Sequence, residues 1–234
     1  MTTVPTTSDW ATNREPEPHE SYVHQHHWRN AVDESEAAKM GMWLFLATEV
    51  LLFSGFFCAY FAYRMLYYNT WRQSSIAYLD WQIGAANTVV LLLSSFTIVM
   101  AIRELQLARK WRAFVYLGIT NLCAVFFLVV KLGWEYLPKI QDGKLPGGLF
   151  TYGAEKTAAY GTTHDHIFMS VYWVSTATHG LHVLIGVLVI SYAMWRTAKG
   201  FYGPKNYMFV ENTGLYWHIV DVIWIFLFPM LYLV

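Results

Sequence analysis

Three histidines and two carboxylates lie near the middle of long apolar stretches of the sequence: Glu49, His179, His182, His218 and Asp221. A charged or strongly polar group in an apolar membrane helix is costly unless it has a specific partner. His179 and His182 are three residues apart, so they share one face of a helix. His218 and Asp221 have the same spacing. Imidazole and carboxylate groups are metal ligands, but they also form hydrogen-bonded networks that fix helix packing. The sequence favours the network and leaves a metal site as the alternative.

The same residues lie at similar depths in their stretches. Glu49 is near the middle of the first stretch, the two histidines near the middle of the fourth, and His218 and Asp221 near the middle of the fifth. At about 1.5 Å rise per residue, they fall within roughly 10 Å of one depth. We therefore predict a polar belt at the membrane midplane, with His179 or His182 as the partner of Glu49. Because an isolated ionised carboxylate is very costly in hydrocarbon, we expect Glu49 to be protonated or to share a proton with a neutral histidine.

Lys131 and Glu135 form a second candidate site, near the end of the third apolar stretch. They are four residues apart, which places them on one helix face within reach of an ion pair. We interpret the pair as an anchor that holds the end of the helix at the membrane interface. A role in transport is the less favoured alternative.

The composition is that of a membrane protein. Of the 234 residues, 56% are hydrophobic and 14% are charged, and the net charge is zero. Soluble domains usually hold about a quarter charged residues, and the long apolar runs exclude an ordinary soluble core. The charge balance gives no reason to expect a nucleic acid partner. Cys58 and Cys123 lie inside apolar runs and are interpreted as packing residues. The sequence has no phosphate-binding loop, nucleophile elbow or Cys-x-x-Cys-His haem attachment motif.

These patterns predict an all-α integral membrane protein, a bundle of five transmembrane helices. The predicted spans are about 40–63, 81–102, 113–136, 167–195 and 210–233, within one membrane domain of residues 35–234. Segments 64–80 and 137–165 are predicted loops. Residues 1–34 form a polar tail without a signal-peptide core, so we expect the first span to act as the insertion signal. A weak metal site is conceivable in the tail, but a flexible tail is favoured; the residues concerned are His19, His24, His26 and His27.

Lysine and arginine are distributed unevenly between the two sides of such a bundle. Ten fall in the tail and in the loops after the second and fourth spans, and five fall on the other side. The positive-inside rule then predicts a cytoplasmic N-terminus and an external C-terminus. Arg103 and Arg196, at the cytoplasmic ends of two spans, are candidate contacts for lipid phosphate groups.

Several motifs resemble one known family. The first span carries Lys39-Met40-Gly41-Met42-Trp43 and Thr48-Glu49, and later spans carry Asn87-Thr88, Lys131 and Glu135-Tyr136. The last two spans carry His179-Gly180-Leu181-His182 and Trp217-His218-Ile219-Val220-Asp221. From about residue 35 to its end, the chain resembles subunit III of the haem-copper oxidases, the cytochrome c oxidase family. Because only a tail precedes Lys39, it is similar to the shorter, five-helix bacterial form.

The resemblance implies a bundle with a cleft that holds phospholipids, docked on the catalytic subunit I beside subunit II and small subunits. It implies no haem or copper in this chain, since both belong to partner subunits. The expected function is to support the stability and proton supply of subunit I, in a bacterial inner-membrane complex that couples oxygen reduction to proton pumping. Glu49 corresponds to the family's membrane glutamate.

Two alternatives to this function stay open. Within the family, the chain would be subunit III of a quinol oxidase or an accessory subunit of a nitric oxide reductase. In a different class, it would be a small proton- or ion-coupled transporter that uses its midplane carboxylates.

Overall fold

Among the residues that the structure describes, five helices are long and apolar enough to cross a membrane, so the chain is a multi-pass membrane protein. The computed structural model describes residues 31–149, 151 and 164–233. The helices are α1 (Ala31–Leu66), α2 (Tyr68–Tyr78), α3 (Trp81–Gln106), α4 (Lys110–Val130), α5 (Leu137–Gln141), α6 (Asp165–Ala198) and α7 (Met208–Tyr232). A π-helical segment, Lys131–Tyr136, joins α4 to α5, and these three pieces form one continuous span. Each predicted span overlaps one long helix, in chain order α1, α3, α4 with its π-helical extension, α6 and α7.

Helices α3, α4, α6 and α7 form the packed body of the bundle, and α1 lies at its side against α6 and α7. Close approach depends on small residues, as is usual where lipid supplies no hydrophobic driving force between helices. A Cβ atom built on Gly186 of α6 would lie 2.6 Å from the Trp217 ring of α7. One on Gly84 of α3 would lie 2.7 Å from the Phe228 ring. These two glycines therefore let α7 pack closely against its neighbours.

Local sequence signals fix several helix ends. The carboxylate of Asp80 accepts a 3.0 Å hydrogen bond from the backbone N–H of Gln82 and so caps α3. Helix α6 ends at Ala198 and is followed, after Lys199, by Gly200, whose φ of 76° is in the left-handed region that glycine adopts without strain. The N–H of Phe201 donates to the carbonyl of Arg196, and that of Gly200 to Thr197, which is the Schellman pattern.

The segment 64–80, predicted as a loop, instead contains the helix α2. It lies across the end of the bundle at which α1 finishes, called here the Leu66 end; the opposite end is the Ala31 end. Trp71 is fully buried with its ring edge-on to Tyr60 and Phe168. Ser75, on the same buried face of α2, donates a 2.7 Å hydrogen bond to the carbonyl of Leu231. The prediction failed because this face combines one aromatic residue with serines, so its hydrophobic periodicity is weak.

Two predicted boundaries also differ from the structure. Residues 31–34, assigned to the tail, belong to α1, whose first turn contains Asp33 and Glu34; acidic residues there suit the positive end of the helix dipole. Residues 137–141, assigned to a loop, form α5, with Pro138 in its first turn, where proline is tolerated. The tail histidines and residues 152–163 of the predicted loop lie outside the described residues.

Candidate functional site

Glu49 and His182 form a direct contact between α1 and α6. Oε2 of Glu49 lies 2.8 Å from Nε2 of His182. The other ring nitrogen, Nδ1, lies 2.8 Å from the carbonyl oxygen of Thr178, an acceptor, so Nδ1 carries a hydrogen and donates it. The ring of Phe53 packs edge-on against the imidazole at 5.4 Å. The hydroxyl of Tyr216 donates a 2.9 Å hydrogen bond to the carbonyl of His182 and links this site to α7.

His218 belongs to a separate contact, between α7 and α3. Its Nδ1 lies 2.6 Å from the hydroxyl of Ser95. One residue earlier on both helices, the indole N–H of Trp217 donates a 2.9 Å hydrogen bond to Ser94. Asp221 is 3% exposed, and its Oδ1 has no hydrogen-bond partner among the residues that the structure describes.

His179 is buried against aromatic rings. Its ring stacks on Trp224 at 5.0 Å between centroids and meets Phe127 edge-on at 5.7 Å. Neither ring nitrogen has a hydrogen-bond partner within the described part of the chain.

The predicted single belt is therefore divided into separate contacts: Glu49 with His182, His218 with Ser95, and His179 by itself. Residues three apart on a helix share a face but point about 60° away from each other, since each residue turns by about 100°. That angle is enough to direct His182 towards α1 and His179 towards α4 and α7. Sequence spacing did not reveal the partner of each side chain, and the common depth of these residues stays a prediction.

Lys131 and Glu135 lie at the centre of a larger buried cluster. Both are in the π-helical segment and are 2% and 3% exposed. Lys131 donates to a Glu135 oxygen and to the hydroxyl of Tyr232 on α7. The hydroxyl of Tyr172 on α6 donates a 2.7 Å hydrogen bond to Glu135. Lys139 of α5 reaches the Tyr172 hydroxyl at 3.3 Å and a Glu135 oxygen at 4.0 Å. We call these five residues the ion cluster.

The pairing of Lys131 and Glu135 is present but the pair is buried among helices, and its role as an anchor at the membrane interface stays a prediction. The pair is enclosed between α4, α6 and α7, with the Lys131 ammonium 4.8 Å from the Trp224 ring. Buried charges need further hydrogen bonds to offset their desolvation, and the two tyrosines supply them. Tyr172 and Tyr232 carried no signal in the sequence, because single tyrosines are common in membrane helices, and Lys139 was assigned to the predicted loop 137–165. Such π-helical segments occur frequently at functional sites.

Arg103 and Arg196 both lie near the Ala31 end. Arg103 is exposed in the last turn of α3. Arg196 donates a 3.2 Å hydrogen bond to the Tyr192 hydroxyl, and its guanidinium lies 4.0 Å from the Phe201 ring. Burial raises the pKa of the neighbouring Tyr202 to about 12, although the Arg196 charge opposes that shift. A groove of about 220 Å³ opens at the same end, lined by Lys110, Trp111, Phe114, Thr197 and Ala198.

Metal binding requires several ligand atoms around one point. Within residues 31–149, 151 and 164–233, no group of three or more His, Cys, Asp or Glu side chains is placed to hold a metal ion. The candidate site is therefore described by ion pairs and hydrogen bonds.

Comparison with known proteins gives one consistent family. The family described as cytochrome c oxidase subunit III matches residues 9–142 and 148–234. A Synechocystis protein named cytochrome c oxidase subunit 3 is 32% identical over 217 residues, covering 90% of this chain and 79% of that protein. A protein of the same name from Thermostichus vulcanus is 32% identical over 200 residues, covering 83% of this chain and 86% of its own. One from Prototheca wickerhamii is 28% identical over 215 residues, covering 90% of this chain and 73% of its own. The chain belongs to the cytochrome c oxidase subunit III family.

Proposed function

We propose that this chain is the haem-free subunit III of a respiratory cytochrome c oxidase, which supports the stability and proton supply of the catalytic subunit I. The observation that carries this function is the family match, which extends over residues 9–142 and 148–234. The relatives are named cytochrome c oxidase subunit 3, and this name favours cytochrome c over a quinol as the electron donor of the complex. The chain is then part of an oxidoreductase complex in which other subunits hold the haem and copper.

The partners in the complex are subunit I, subunit II and small subunits. Helix α1 is the least buried of the five spans and contacts only α2, α6 and α7 among the described helices. Most of its surface therefore faces either lipid or a neighbouring subunit, and we assign the contact with subunit I to it. Gly55 is an exposed probe position on this surface, because a Cβ atom there meets nothing within 4 Å. Gly180 of α6 is a matched control with the same open surroundings.

The assignment of α1 is tested by Gly55→Leu and Gly180→Leu in the whole complex. We expect Gly55→Leu to lower the amount of this chain that co-purifies with subunit I, while Gly180→Leu leaves it unchanged. If only Gly180→Leu lowers co-purification with subunit I, the contact lies on α6 instead.

Phospholipid is the expected bound ligand. Arg103, Arg196 and Lys110 put positive charge at the Ala31 end, where Trp111 is exposed beside the groove. Basic and aromatic side chains at a membrane face attract lipid phosphate groups. Arg103→Gln should therefore reduce the phospholipid retained by the gently purified complex, whereas Arg72→Gln, an exposed arginine at the Leu66 end, should not. Equal retention in both variants would contradict the assignment.

The membrane is the bacterial inner membrane, with the N-terminus in the cytoplasm and the C-terminus outside. Ten lysines and arginines lie on the side of the N-terminus and five on the opposite side, which supports this orientation by the positive-inside rule. The Ala31 end of the bundle is then cytoplasmic, and the ion cluster lies in the outer half.

The buried polar groups act as links between helices. The pair of Glu49 and His182 ties α1 to α6, and the ion cluster ties α5 and the π-helical segment to α6 and α7. Each link leaves an unpaired polar group behind if it opens, which is strongly unfavourable in an apolar interior. These links between helices make the bundle rigid enough to support a large catalytic partner.

The function is tested by purifying the tagged chain in mild detergent and recording a haem spectrum of what accompanies it. Co-purification of a haem-containing subunit I is expected. Identification of the other subunits then shows whether the electron donor is cytochrome c or a quinol. A stable homo-oligomer without haem would favour a transporter and overturn the proposal.

A further inference from the structure

His218 is a polar residue in the middle of its membrane span. It lies 10 residues from the nearer end of α7, and its contact Ser95 lies 11 residues from the nearer end of α3. At a rise of about 1.5 Å per residue, both residues are about 15 Å from those helix ends. The hydrocarbon layer of a bilayer is about 30 Å thick, so both residues lie deep within it.

One nitrogen of the His218 ring has no partner. Nδ1 lies 2.6 Å from the Ser95 hydroxyl, whereas Nε2 makes no hydrogen bond with any residue that the structure describes. His218 is half-buried, and its Nε2 is open at the surface of the bundle, unlike the two enclosed ring nitrogens of His179. Hydrocarbon supplies no water to satisfy such a nitrogen, so another group must do so.

Asp221 adds a second polar group behind His218. It is 3% exposed, and its carboxyl group lies beside the Ser95 hydroxyl. Its unpaired Oδ1 is enclosed within the bundle, which leaves Nε2 of His218 as the atom that an outside group can reach. We call Ser95, His218 and Asp221 the polar centre. Polar groups at this depth are costly unless they are paired, so the polar centre calls for a partner.

The polar centre is surrounded by an exposed apolar surface. Helices α1 and α3 both pack on α7, but among the described residues they do not touch each other. The side of α7 between them is therefore open. We call this surface the His218 face, and its exposed apolar residues are Leu92 and Val99 of α3 and Val222 and Ile225 of α7. A helix lying on this face would cover Nε2 of His218.

We propose that a transmembrane helix of a neighbouring subunit packs on the His218 face and places a Ser, Thr, Asn or Gln side chain opposite Nε2. These side chains both donate and accept, so they match either tautomer of His218. They are also the side chains that commonly form hydrogen bonds between membrane helices. Phospholipid does not meet this need, because its acyl chains form no hydrogen bonds and its headgroup stays at the membrane surface. The inference rests on the proposed function in one respect, that the chain works within a complex.

The test is photo-crosslinking in native membranes with the photoreactive amino acid benzoylphenylalanine in place of Val222. Val125 of α4 is the matched control, because both valines are 42% exposed near the middle of a span. The complex is then purified through a tag on this chain. We expect severalfold more product with another polypeptide from position 222 than from position 125. The linked peptide should be a transmembrane segment with Ser, Thr, Asn or Gln near its middle.

Several results of the crosslinking would overturn the proposal. They are equal yields at the two positions, adducts of position 222 with lipid only, a product with a second copy of this chain, and a linked segment that lacks such a side chain. The haem spectrum of each preparation reports separately on the proposed function, because it shows whether subunit I is present.

Two substitutions of His218 connect the crosslinked product to the polar centre. His218→Gln keeps a donor and an acceptor and should retain the product, whereas His218→Leu removes both and should reduce the yield severalfold. If His218→Leu fails to assemble, the peptide linked at position 222 still decides. An assembled His218→Leu variant with an unchanged yield would overturn the proposal.

Discussion

His182 contacts a different residue with each of its ring nitrogens: Nε2 lies 2.8 Å from Glu49, and Nδ1 lies 2.8 Å from the carbonyl of Thr178. Because Nδ1 donates to that carbonyl, Nε2 of the neutral imidazole is an acceptor, so a hydrogen bond with Glu49 at this distance requires a proton on the carboxyl group. A neutral pair is also favoured over separated charges in an apolar surrounding. We therefore predict that Glu49 and His182 share one proton between a carboxyl oxygen and Nε2.

The variant Glu49→Gln tests this arrangement. Glutamine keeps a donor for Nε2 at nearly the same shape, so assembly and thermal stability of the complex should change little. Glu49→Ala removes the donor and should cost about 1–3 kcal/mol, because a buried histidine nitrogen is left unpaired. The infrared difference spectrum of native and Glu49→Gln proteins at neutral pH should show loss of a protonated carboxyl band. Loss of an ionised carboxylate band would mean that Glu49 is charged and would contradict the shared proton.

Breaking the ion cluster should be more damaging than breaking an exposed pair. Glu135→Gln leaves Lys131 as a buried charge without its counter-ion, which typically costs about 3–5 kcal/mol. The matched control is Glu211→Gln, which removes the 3.2 Å ion pair with Lys39, a pair whose side chains are 44% and 32% exposed. Exposed pairs contribute roughly 0–1 kcal/mol. The temperature at which this chain is released from the complex measures the effect of each variant. Equal decreases in that temperature for Glu135→Gln and Glu211→Gln would show that the ion cluster adds no more stability than the exposed pair.

Two glycines of α6 should respond in opposite directions to alanine. In Gly186→Ala the new Cβ atom would lie 2.6 Å from the Trp217 ring, so this buried ring or the two helices must shift, and stability should fall. In Gly180→Ala it meets nothing within 4 Å, and alanine is favoured over glycine in a helix by about 0.5–1 kcal/mol. The midpoint of thermal unfolding in detergent compares the two. A stable Gly186→Ala would mean that the contact between α6 and α7 adjusts freely.

The orientation predicts where a C-terminal reporter is active. With five spans and a cytoplasmic N-terminus, an enzyme reporter fused after Val234 should be active only outside the membrane. A fusion at Lys205, in the segment between α6 and α7, should report the cytoplasm. Cytoplasmic activity of the C-terminal fusion would contradict this topology.

The sequence predicted those features that depend on composition along one helix. Long apolar runs gave the spans, and costly polar groups within them pointed to Glu49 and the histidines as a set. Features that depend on contacts between helices could not be predicted. Helix α2 is stabilised by Asp165 and Leu231, which are remote in sequence, through Ser74 and Ser75.

The ion cluster of the candidate site also depends on contacts between helices, which could not be predicted from the sequence. The spacing of Lys131 and Glu135 predicted their pairing on one helix, but burial of the pair depends on tyrosines from two other helices. The π-helical geometry from Lys131 to Tyr136 also has no established residue pattern that would reveal it.

The most direct test of the central claim is native mass spectrometry of the complex purified through a tag on this chain. We expect one copy of the chain bound to a haem-copper subunit I. On gentle activation the chain should leave the complex at its own sequence mass, without haem or metal. A released chain that carries haem, or a particle that contains only copies of this chain, would show that the chain is not the haem-free subunit III of an oxidase.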